Sequence, residues 1–373
     1  MKRCWPKLFL LFWIVSRFAF AAEEAPYQIQ DQGAISRGKF EQAIGCLGNS
    51  EKGTSAVSEV AAPDEASVLP WIAKAVADER QGQLQDAISD CKEVLHLEPH
   101  DVLCWLNLAR LFQKTEQYQE AIDAYSKILE FEPGNLEARF LRGYLHQRQG
   151  AYDKATVDVS DVIRWHPECA AGYSIRSQLY SLTGDYDNAI ADADRAIQMN
   201  PRDLDAHLIR GFAHVRVKNY DQAVQDLTEG LKLTPTDGNA WFNRAAAFVN
   251  LGKYKEAVAD LVQASELDGN GFEAPAADVL NGLAWLLATC PDSAVRNGEK
   301  ATEYVSRALQ HDPNRWQIWD TRAAVFAENG DFGSAVQWEE RCLERKDLSE
   351  ADRARVKERL ALYRAEKPCR ELK

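Results

Sequence analysis

Prolines placed at one constant interval constrain the fold of this chain more than any other feature of its sequence. Five of them are each 34 residues apart, namely Pro99, Pro133, Pro167, Pro201 and Pro235. Eight alanines form a second series, the first six at the same interval: Ala87, Ala121, Ala155, Ala189, Ala223, Ala257, Ala301 and Ala335. A fixed period of this length predicts an array of stacked structural repeats rather than one conventional core.

Each repeat contains the pattern of two helices. In Gln117-Tyr118-Gln119-Glu120-Ala121-Ile122 an aromatic residue lies three positions before a small alanine, with an acid in the first turn, which suits a helix N-terminus. The proline about a dozen residues later ends that helix. Upstream, one apolar stripe recurs at i, i+3, i+4 and i+7, formed by Trp105, Leu108, Ala109 and Phe112. Each unit is therefore predicted to be a helical hairpin.

This pattern resembles the tetratricopeptide repeat, with a large residue at position 4, Gly or Ala at 8, aromatics at 11 and 17, Ala at 20 and Pro at 32. Residues 102–135 match every one of these positions. The resemblance implies an all-α, right-handed superhelical solenoid of antiparallel helical hairpins, ended by a capping helix over 350–366 and a tail over 367–373. We number the units one to eight: 68–101, 102–135, 136–169, 170–203, 204–237, 238–271, an irregular unit with insertions at 272–315, and 316–349.

Both ends of the array depart from the regular pattern. Residues 22–47 are predicted to form a degenerate repeat, and residues 48–67, rich in Ser, Ala, Gly and Glu, a linker. In repeat seven the segment Leu283-Ala284-Trp285-Leu286-Leu287-Ala288-Thr289-Cys290-Pro291-Asp292 is similar to one found in exported bacterial tetratricopeptide proteins. That similarity implies protein interaction rather than a defined activity.

The first 21 residues have the composition of a signal peptide. Lys2, Arg3 and Lys7 precede an apolar run that is too short to span a bilayer, and small residues occupy the −3 and −1 positions before Ala22. A retained N-terminal anchor is the alternative. Cleavage would leave 40 basic against 57 acidic residues, a balance that argues against nucleic acid as a partner. We expect an exported protein, periplasmic or secreted, with no stable membrane span after cleavage.

Superimposing the repeats shows that positions 7 and 23 are usually charged together. A cation and an acid are paired in five repeats: Lys74 with Asp90, Arg142 with Asp158, Arg176 with Asp192, Arg210 with Asp226, and Arg244 with Asp260. Repeat two has Leu108 with Ala124 instead, and repeat eight breaks the rule with Arg322 and Trp338. We interpret the pairs as structural ion pairs that face each other within a hairpin.

A partner-binding groove is sought on the concave side of the array, which the family resemblance assigns to positions 2, 5, 9, 12 and 13 of each first helix. Aromatic and basic residues occupy these positions: Arg110, Lys114, Phe140, Tyr144, Arg148, Phe212, Arg216 and Phe242. Aromatic anchors beside cations suit a peptide segment with acidic residues. The alternative is that individual aromatics only pack between neighbouring helices.

Catalytic and metal sites are not expected. The chain has no phosphate-binding Gly-rich loop, no HExxH and no Gly-x-Ser-x-Gly turn, and its histidines are dispersed. No cysteine pair has CxxC spacing, so we predict no metal and no cofactor. Cys91 and Cys104 lie on consecutive predicted helices, and we expect them to be unlinked.

The sequence thus predicts an exported, non-catalytic scaffold that binds a protein or peptide segment in the groove of a helical solenoid. Two alternatives remain open: an accessory or regulatory subunit of a cell-envelope enzyme such as a glycosyltransferase, and a self-assembling structural protein.

Overall fold

The computed structural model describes residues 68–267 and 276–370. The predicted signal peptide (1–21), N-terminal repeat (22–47) and linker (48–67) lie outside the described residues. The described part contains 17 helices and no strand, and most helices pack against the next along the chain. The prediction of an all-α helical solenoid is confirmed, whereas its right-handed sense stays a prediction.

The helices follow one another through short connections, two per repeat. Their bounds are α1 Leu69–Arg80, α2 Leu84–Leu97, α3 Val102–Lys114, α4 Tyr118–Phe131, α5 Leu136–Arg148, α6 Tyr152–Trp165, α7 Ala170–Leu182, α8 Tyr186–Met199, α9 Leu204–Arg216, α10 Tyr220–Leu233, α11 Gly238–Asn250, α12 Tyr254–Glu266, α13 Ala276–Thr289, α14 Gly298–His311, α15 Trp316–Glu328, α16 Phe332–Leu343 and α17 Glu350–Arg364.

Two compact units divide the chain within α9, between Ile209 and Arg210. In the first unit, Leu111, Tyr125 and Phe140 are among the largest fully buried side chains, and they belong to one continuous apolar cluster. In the second unit, the largest apolar cluster centres on α13 and draws on α11 to α15. Each unit therefore has the layered core of a repeat array.

The alanine series explains how closely the two helices of a hairpin approach. Each alanine at position 20 has 0% of its surface exposed, namely Ala87, Ala121, Ala155, Ala189, Ala223, Ala257, Ala301 and Ala335. The turn between the helices needs a left-handed residue at position 15, as at Gly150 (φ 72°), and in repeat two Glu116 adopts it (φ 59°). The packing that alanine permits and the tight turn together fix the hairpin.

First helices begin on caps supplied by the last residue of the preceding repeat. The side chains of Asp101, Asn135 and Asp237 accept hydrogen bonds from the backbone N–H groups three residues later. At position 4, the indole Nε1 of Trp105 donates to the carbonyl oxygen of Pro99 at 2.9 Å, and Trp241 repeats this contact at Pro235. The proline that ends one repeat is thereby tied to the start of the next.

Helix α13 carries the apolar segment that distinguishes repeat seven. Nearly all of its second half is buried, from Leu283 to Thr289, and Cys290 follows it at 0% exposure. Because the second half of α13 is buried on all sides, it lacks the polar face that the other helices have. No helix in the described residues has both the length and the apolarity to cross a membrane.

Helix α17 covers the open end of repeat eight. Val356, Leu360 and Tyr363, which the sequence places on one side, are buried. Beside them Arg359 extends into the protein, where its Nε lies 2.7 Å from Asp320 Oδ1 and 3.4 Å from Glu339 Oε1. Both carboxyl side chains are 0% exposed, so this helix is held by charge as well as by apolar contact.

Candidate functional site

Paired charges at positions 7 and 23 lie within hydrogen-bond distance in each of the five repeats where the sequence predicts them. In repeat three, Arg142 Nε and Nη2 donate to the two carboxylate oxygens of Asp158 at 3.0 and 2.6 Å. The same two-point contact joins Arg176 with Asp192, Arg210 with Asp226, and Arg244 with Asp260. Lys74 makes a single contact of 2.8 Å with Asp90. A planar guanidinium holds a carboxylate in a fixed geometry that an ammonium does not.

The same arginines contact a third residue that sequence reasoning missed. Nη1 of Arg142, Arg176 and Arg244 donates to a hydroxyl on the second helix of the preceding repeat, at 3.0 to 3.1 Å, and these hydroxyls belong to Ser126, Ser160 and Thr228. The signal was present, because Ser126, Ser160 and Thr228 fall on the 34-residue period. Each arginine therefore spans two consecutive second helices and fills the cleft between them.

The burial of these charges makes the pairs structural. Asp158 is 1% exposed, and Asp260 is 4% exposed. Burial raises the pKa of the Asp260 carboxyl even though the Arg244 guanidinium opposes that shift. The hydrogen bond that Arg176 donates to Asp192 raises the pKa of Arg176. Removal of one partner would leave a buried charge without compensation, which is costly.

Repeat two lacks the pair, and its cleft is open. Leu108 and Ala124 replace the cation and the acid, and a cavity of about 480 Å³ lies over α3, between α2 and α4. Apolar side chains form its floor: Leu95, Trp105, Leu108, Phe112 and Ala124. Exposed polar and charged side chains form its rim: Lys92, His96, Glu120, Asp123 and Lys127. We call these ten residues the repeat-two cleft. Its volume and lining match those of sites for small ligands or single side chains.

The rim of the repeat-two cleft offers charges of both signs. Lys92 Nζ lies 5.6 Å from the centroid of the Phe112 ring, a cation–π contact at the edge of the floor. Lys127 pairs with Glu130 at 2.8 Å, and Asp123 accepts a hydrogen bond from Gln119. An apolar group could therefore enter the floor while polar groups beside it pair with the rim.

Three of the predicted groove aromatics are buried rather than presented to solvent. Phe140 is 0% exposed, Tyr144 8% and Phe242 5%, and all three belong to apolar clusters. This corrects the expectation that they anchor a partner. Their rings cannot reach a ligand without opening the core. The alternative stated from the sequence, packing between helices, describes these three residues.

The remaining predicted groove residues stay nearer the surface, on α3, α5 and α9. Arg110 donates to Asn107 at 2.8 Å, and Lys114 forms an ion pair of 2.6 Å with Glu79. Arg148 lies over the Tyr118 ring at 5.0 Å. Phe212 and Arg216 are partly exposed. Lys114 and Arg148 are thus engaged with the preceding repeat, and the groove as a whole stays a prediction.

In the described residues, no group of three or more His, Cys, Asp or Glu side chains could hold a metal ion. Cys104 Sγ lies 3.3 Å from the carbonyl oxygen of Cys91, and both thiols are free and buried. A side-chain hydrogen bond with the Cys91 thiol, together with burial, raises the pKa of the Cys104 thiol, which makes it a poor nucleophile.

Models of known families match three parts of the chain. Two, each described as tetratricopeptide repeat, match residues 80–130 and 106–159. A third, described as anaphase-promoting complex, cyclosome, subunit 3, matches residues 183–264. No curated protein matches the sequence.

Several solved structures are similar to the chain. A tetratricopeptide repeat protein from Parabacteroides merdae is 17% identical, with 81% of this chain and 100% of that one covered and a TM-score of 0.46. A MamA protein is 21% identical over 44% of this chain and 90% of that one, with a TM-score of 0.42. YrrB, described as a TPR protein with an unusual peptide-binding site, is 17% identical over 49% and 95%, with a TM-score of 0.43.

Proposed function

Because the chain is a tetratricopeptide-repeat protein, we propose that it is an exported, non-catalytic scaffold that binds a segment of a partner protein. Repeats of this kind stack into an extended surface whose side chains can be varied one unit at a time. A scaffold needs no reactive group, and five of the six cysteines in the described residues are buried.

The repeat-two cleft is the observation that carries the proposal. In repeats three to six a bidentate Arg–Asp pair occupies this position, as Arg142 and Asp158 do. In repeat two the cleft holds about 480 Å³ above an apolar floor. An apolar side chain of a partner would bury its surface there at about 25 cal/mol per Å². The partner's flanking charges would pair with Lys92, Lys127, Glu120 or Asp123, which adds specificity more than affinity.

A peptide selection tests this function without knowledge of the partner. A phage library of random peptides is selected against residues 22–373 and, in parallel, against the double variant Leu108→Arg/Ala124→Asp. This variant places an Arg–Asp pair where the other repeats have one and fills the cleft. We expect the wild type to enrich peptides that share an apolar anchor, and synthetic versions to bind the variant about tenfold more weakly or worse.

A matched control separates the cleft from a general change of surface. Leu103→Arg/Val157→Asp makes the same exchanges at two exposed apolar positions outside the cleft, which are 73% and 61% exposed. This control should bind the selected peptides like the wild type. Absence of any enriched peptide would refute the binding function, and equal binding by the filled variant would move the site elsewhere.

Export is tested separately, by expression of residues 1–373 in a bacterial host. We expect a product in the periplasm or medium whose mass corresponds to cleavage after Ala21. A full-length product that pellets with membranes would favour the retained anchor. Light scattering of the mature chain addresses the self-assembling alternative, since a defined monomer is incompatible with it.

A further inference from the structure

Repeat eight keeps the cation of the ion pair and loses the acid. Arg322 occupies position 7 on α15, and position 23 on α16 is Trp338 instead of aspartate. The guanidinium carbon of Arg322 lies 5.0 Å from the centroid of the Trp338 ring and 5.6 Å from that of Phe326. An indole takes the place that a carboxylate occupies in repeats three to six.

A second guanidinium contacts the same ring. Arg341, one turn further along α16, lies 5.0 Å from the Trp338 centroid and 4.1 Å from the Trp319 centroid. The two indoles are 6.3 Å apart and tilted by 57°. Arg322, Arg341, Trp319 and Trp338 form what we call the repeat-eight cluster. It combines two cations with two aromatic rings on adjacent helices.

Neither cation of the repeat-eight cluster is neutralised within residues 68–267 and 276–370. Ion pairs near the cluster include those of Arg364 with Glu340, Arg345 with Asp347, and Arg359 with Asp320, and none of the ion pairs in the described residues includes Arg322 or Arg341. Burial lowers the pKa of Arg322, and no acid is among the causes of that shift. Cation–π contact compensates only partly for a lost carboxylate at a half-buried site.

Comparison of the repeats identifies the missing group by its chemistry. In repeats three, four and six the corresponding arginine binds a carboxylate on one side and a hydroxyl of the preceding second helix on the other. In repeat eight the residue at the hydroxyl position is Ser306, on α14, and its hydroxyl donates to the carbonyl oxygen of Thr302. Repeat eight thus keeps the arginine and the hydroxyl residue, whereas the acid is absent and no hydrogen bond joins Arg322 to Ser306 in the described residues.

We propose that the repeat-eight cluster binds a carboxylate of the partner segment, held by Arg322 and Arg341 and flanked by the indole of Trp338. The proposal rests on the scaffold function above and adds the class of residue that the partner must present. A guanidinium fork matches a planar carboxylate with two parallel hydrogen bonds. The adjacent aromatic surface favours a carboxylate on a chain that also carries apolar groups.

Calorimetric titration of the full mature chain with short peptides tests the site. The probes are acetyl-tetraglutamate amide, its tetraglutamine analogue, and acetyl-tetraglutamine with a free C-terminus. We expect the first to bind, the second not to bind, and the third to reveal whether a terminal carboxylate suffices. Binding should weaken as salt increases from low to physiological strength, because the Arg341 side is exposed.

Two variants and a control assign the binding to the cluster. Arg322→Gln and Arg341→Gln should each weaken the tetraglutamate peptide about tenfold, since a charge-assisted bond is lost. Arg195→Gln removes an equal charge from an exposed arginine on α8, in the other compact unit, and should have no effect. Trp338→Asp should abolish binding by supplying the acid internally, whereas Trp338→Asn should not. Far-UV circular dichroism checks that each variant is folded.

The outcomes separate this proposal from the scaffold function. Equal affinity for tetraglutamate and tetraglutamine, or unchanged affinity in both arginine variants, would overturn the carboxylate site. The selection at the repeat-two cleft would be unaffected, because its filled variant leaves repeat eight intact. Displacement of the peptide by inorganic phosphate at equal ionic strength, without any by acetate, would also overturn the assignment to a carboxylate.

Discussion

Repeats two and three are neighbours with the same helix lengths. They differ in what fills the space between their second helix and the second helix of the repeat before. In repeat three Arg142 spans the space and binds Asp158 and Ser126. In repeat two the corresponding space is a cleft with an apolar floor. The difference teaches that position 7 and position 23 can be exchanged as a pair without altering the repeat. A buried ion pair and an open apolar cleft are alternative contents of one architecture.

The largest effect is expected from removing one half of the repeat-three pair. Arg142→Ala leaves the Asp158 carboxylate buried and without its counter-charge, and should lower the free energy of unfolding by about 3 kcal/mol. Urea denaturation followed by circular dichroism measures this change. A loss below about 1 kcal/mol would mean that the pair behaves like a surface salt bridge.

The second prediction exchanges both halves together. Arg142→Leu/Asp158→Ala copies the residues of repeat two into repeat three, so no charge is left buried. The free energy of unfolding should return to within about 1 kcal/mol of the wild type. The same urea titration decides, with Arg142→Leu alone as the control. If the double variant is as unstable as the single one, the two repeats are not interchangeable.

The third prediction reverses the exchange. Leu108→Arg/Ala124→Asp fills the repeat-two cleft with a new ion pair, and should change the free energy of unfolding by less than about 1 kcal/mol. Ala124→Asp alone should be much less stable, because the new carboxylate is buried at a position that is 1% exposed in the wild type. Thermal melts of the wild type, the single variant and the double variant measure this. The prediction would be contradicted if the double variant had the same melting temperature as the single variant.

The smallest effect concerns position 11, where repeat two has Phe112 and repeat three has His146. Burial lowers the pKa of the His146 imidazole, so the folded chain favours the neutral ring. Its stabilising contribution is complete above the unfolded pKa of about 6.5 and is lost as the pH falls below that value. His146→Phe should therefore make unfolding less sensitive to pH between 7 and 5. The measurement is the urea midpoint across this pH range. The prediction would be contradicted if the midpoint changed with pH by the same amount in both chains.

Much of this fold is predictable from sequence because its constraints are local and repeat. The 34-residue period places each hairpin, its alanine contact and its turn, and it aligns Arg142 with Asp158 across one hairpin. The same period could have revealed Ser126 as a third partner, since only the comparison between repeats was needed.

The exposure of the predicted groove residues could not be predicted from the period in the same way. Phe140, Tyr144 and Phe242 occupy positions that the family resemblance assigns to a groove, but neighbouring side chains of nearby helices cover their rings. Coverage depends on which residues face one another across repeats, and a period in one chain does not specify it. Likewise, the cleft of repeat two follows from Leu108 only once the span of the arginine in other repeats is known.

The contacts of Arg359 could not be predicted from the sequence either, because nothing in α17 indicates which acidic residues it contacts. Asp320 and Glu339 are charged residues in helices whose buried sides are otherwise uncharged, and this pattern alone could have suggested an internal cation.

Because Arg359 contacts Asp320 and Glu339, the native packing of repeat eight depends on α17, which is synthesised after it. A ribosome-bound or nicked chain that ends before residue 359 lacks the guanidinium that contacts these two buried carboxylates, which should weaken the native packing of repeat eight. Such a chain would expose apolar surface of α15 and α16 to proteases and chaperones. Acquisition of α17 thus completes the packing of repeat eight, and Arg359 supplies the charge that this packing requires.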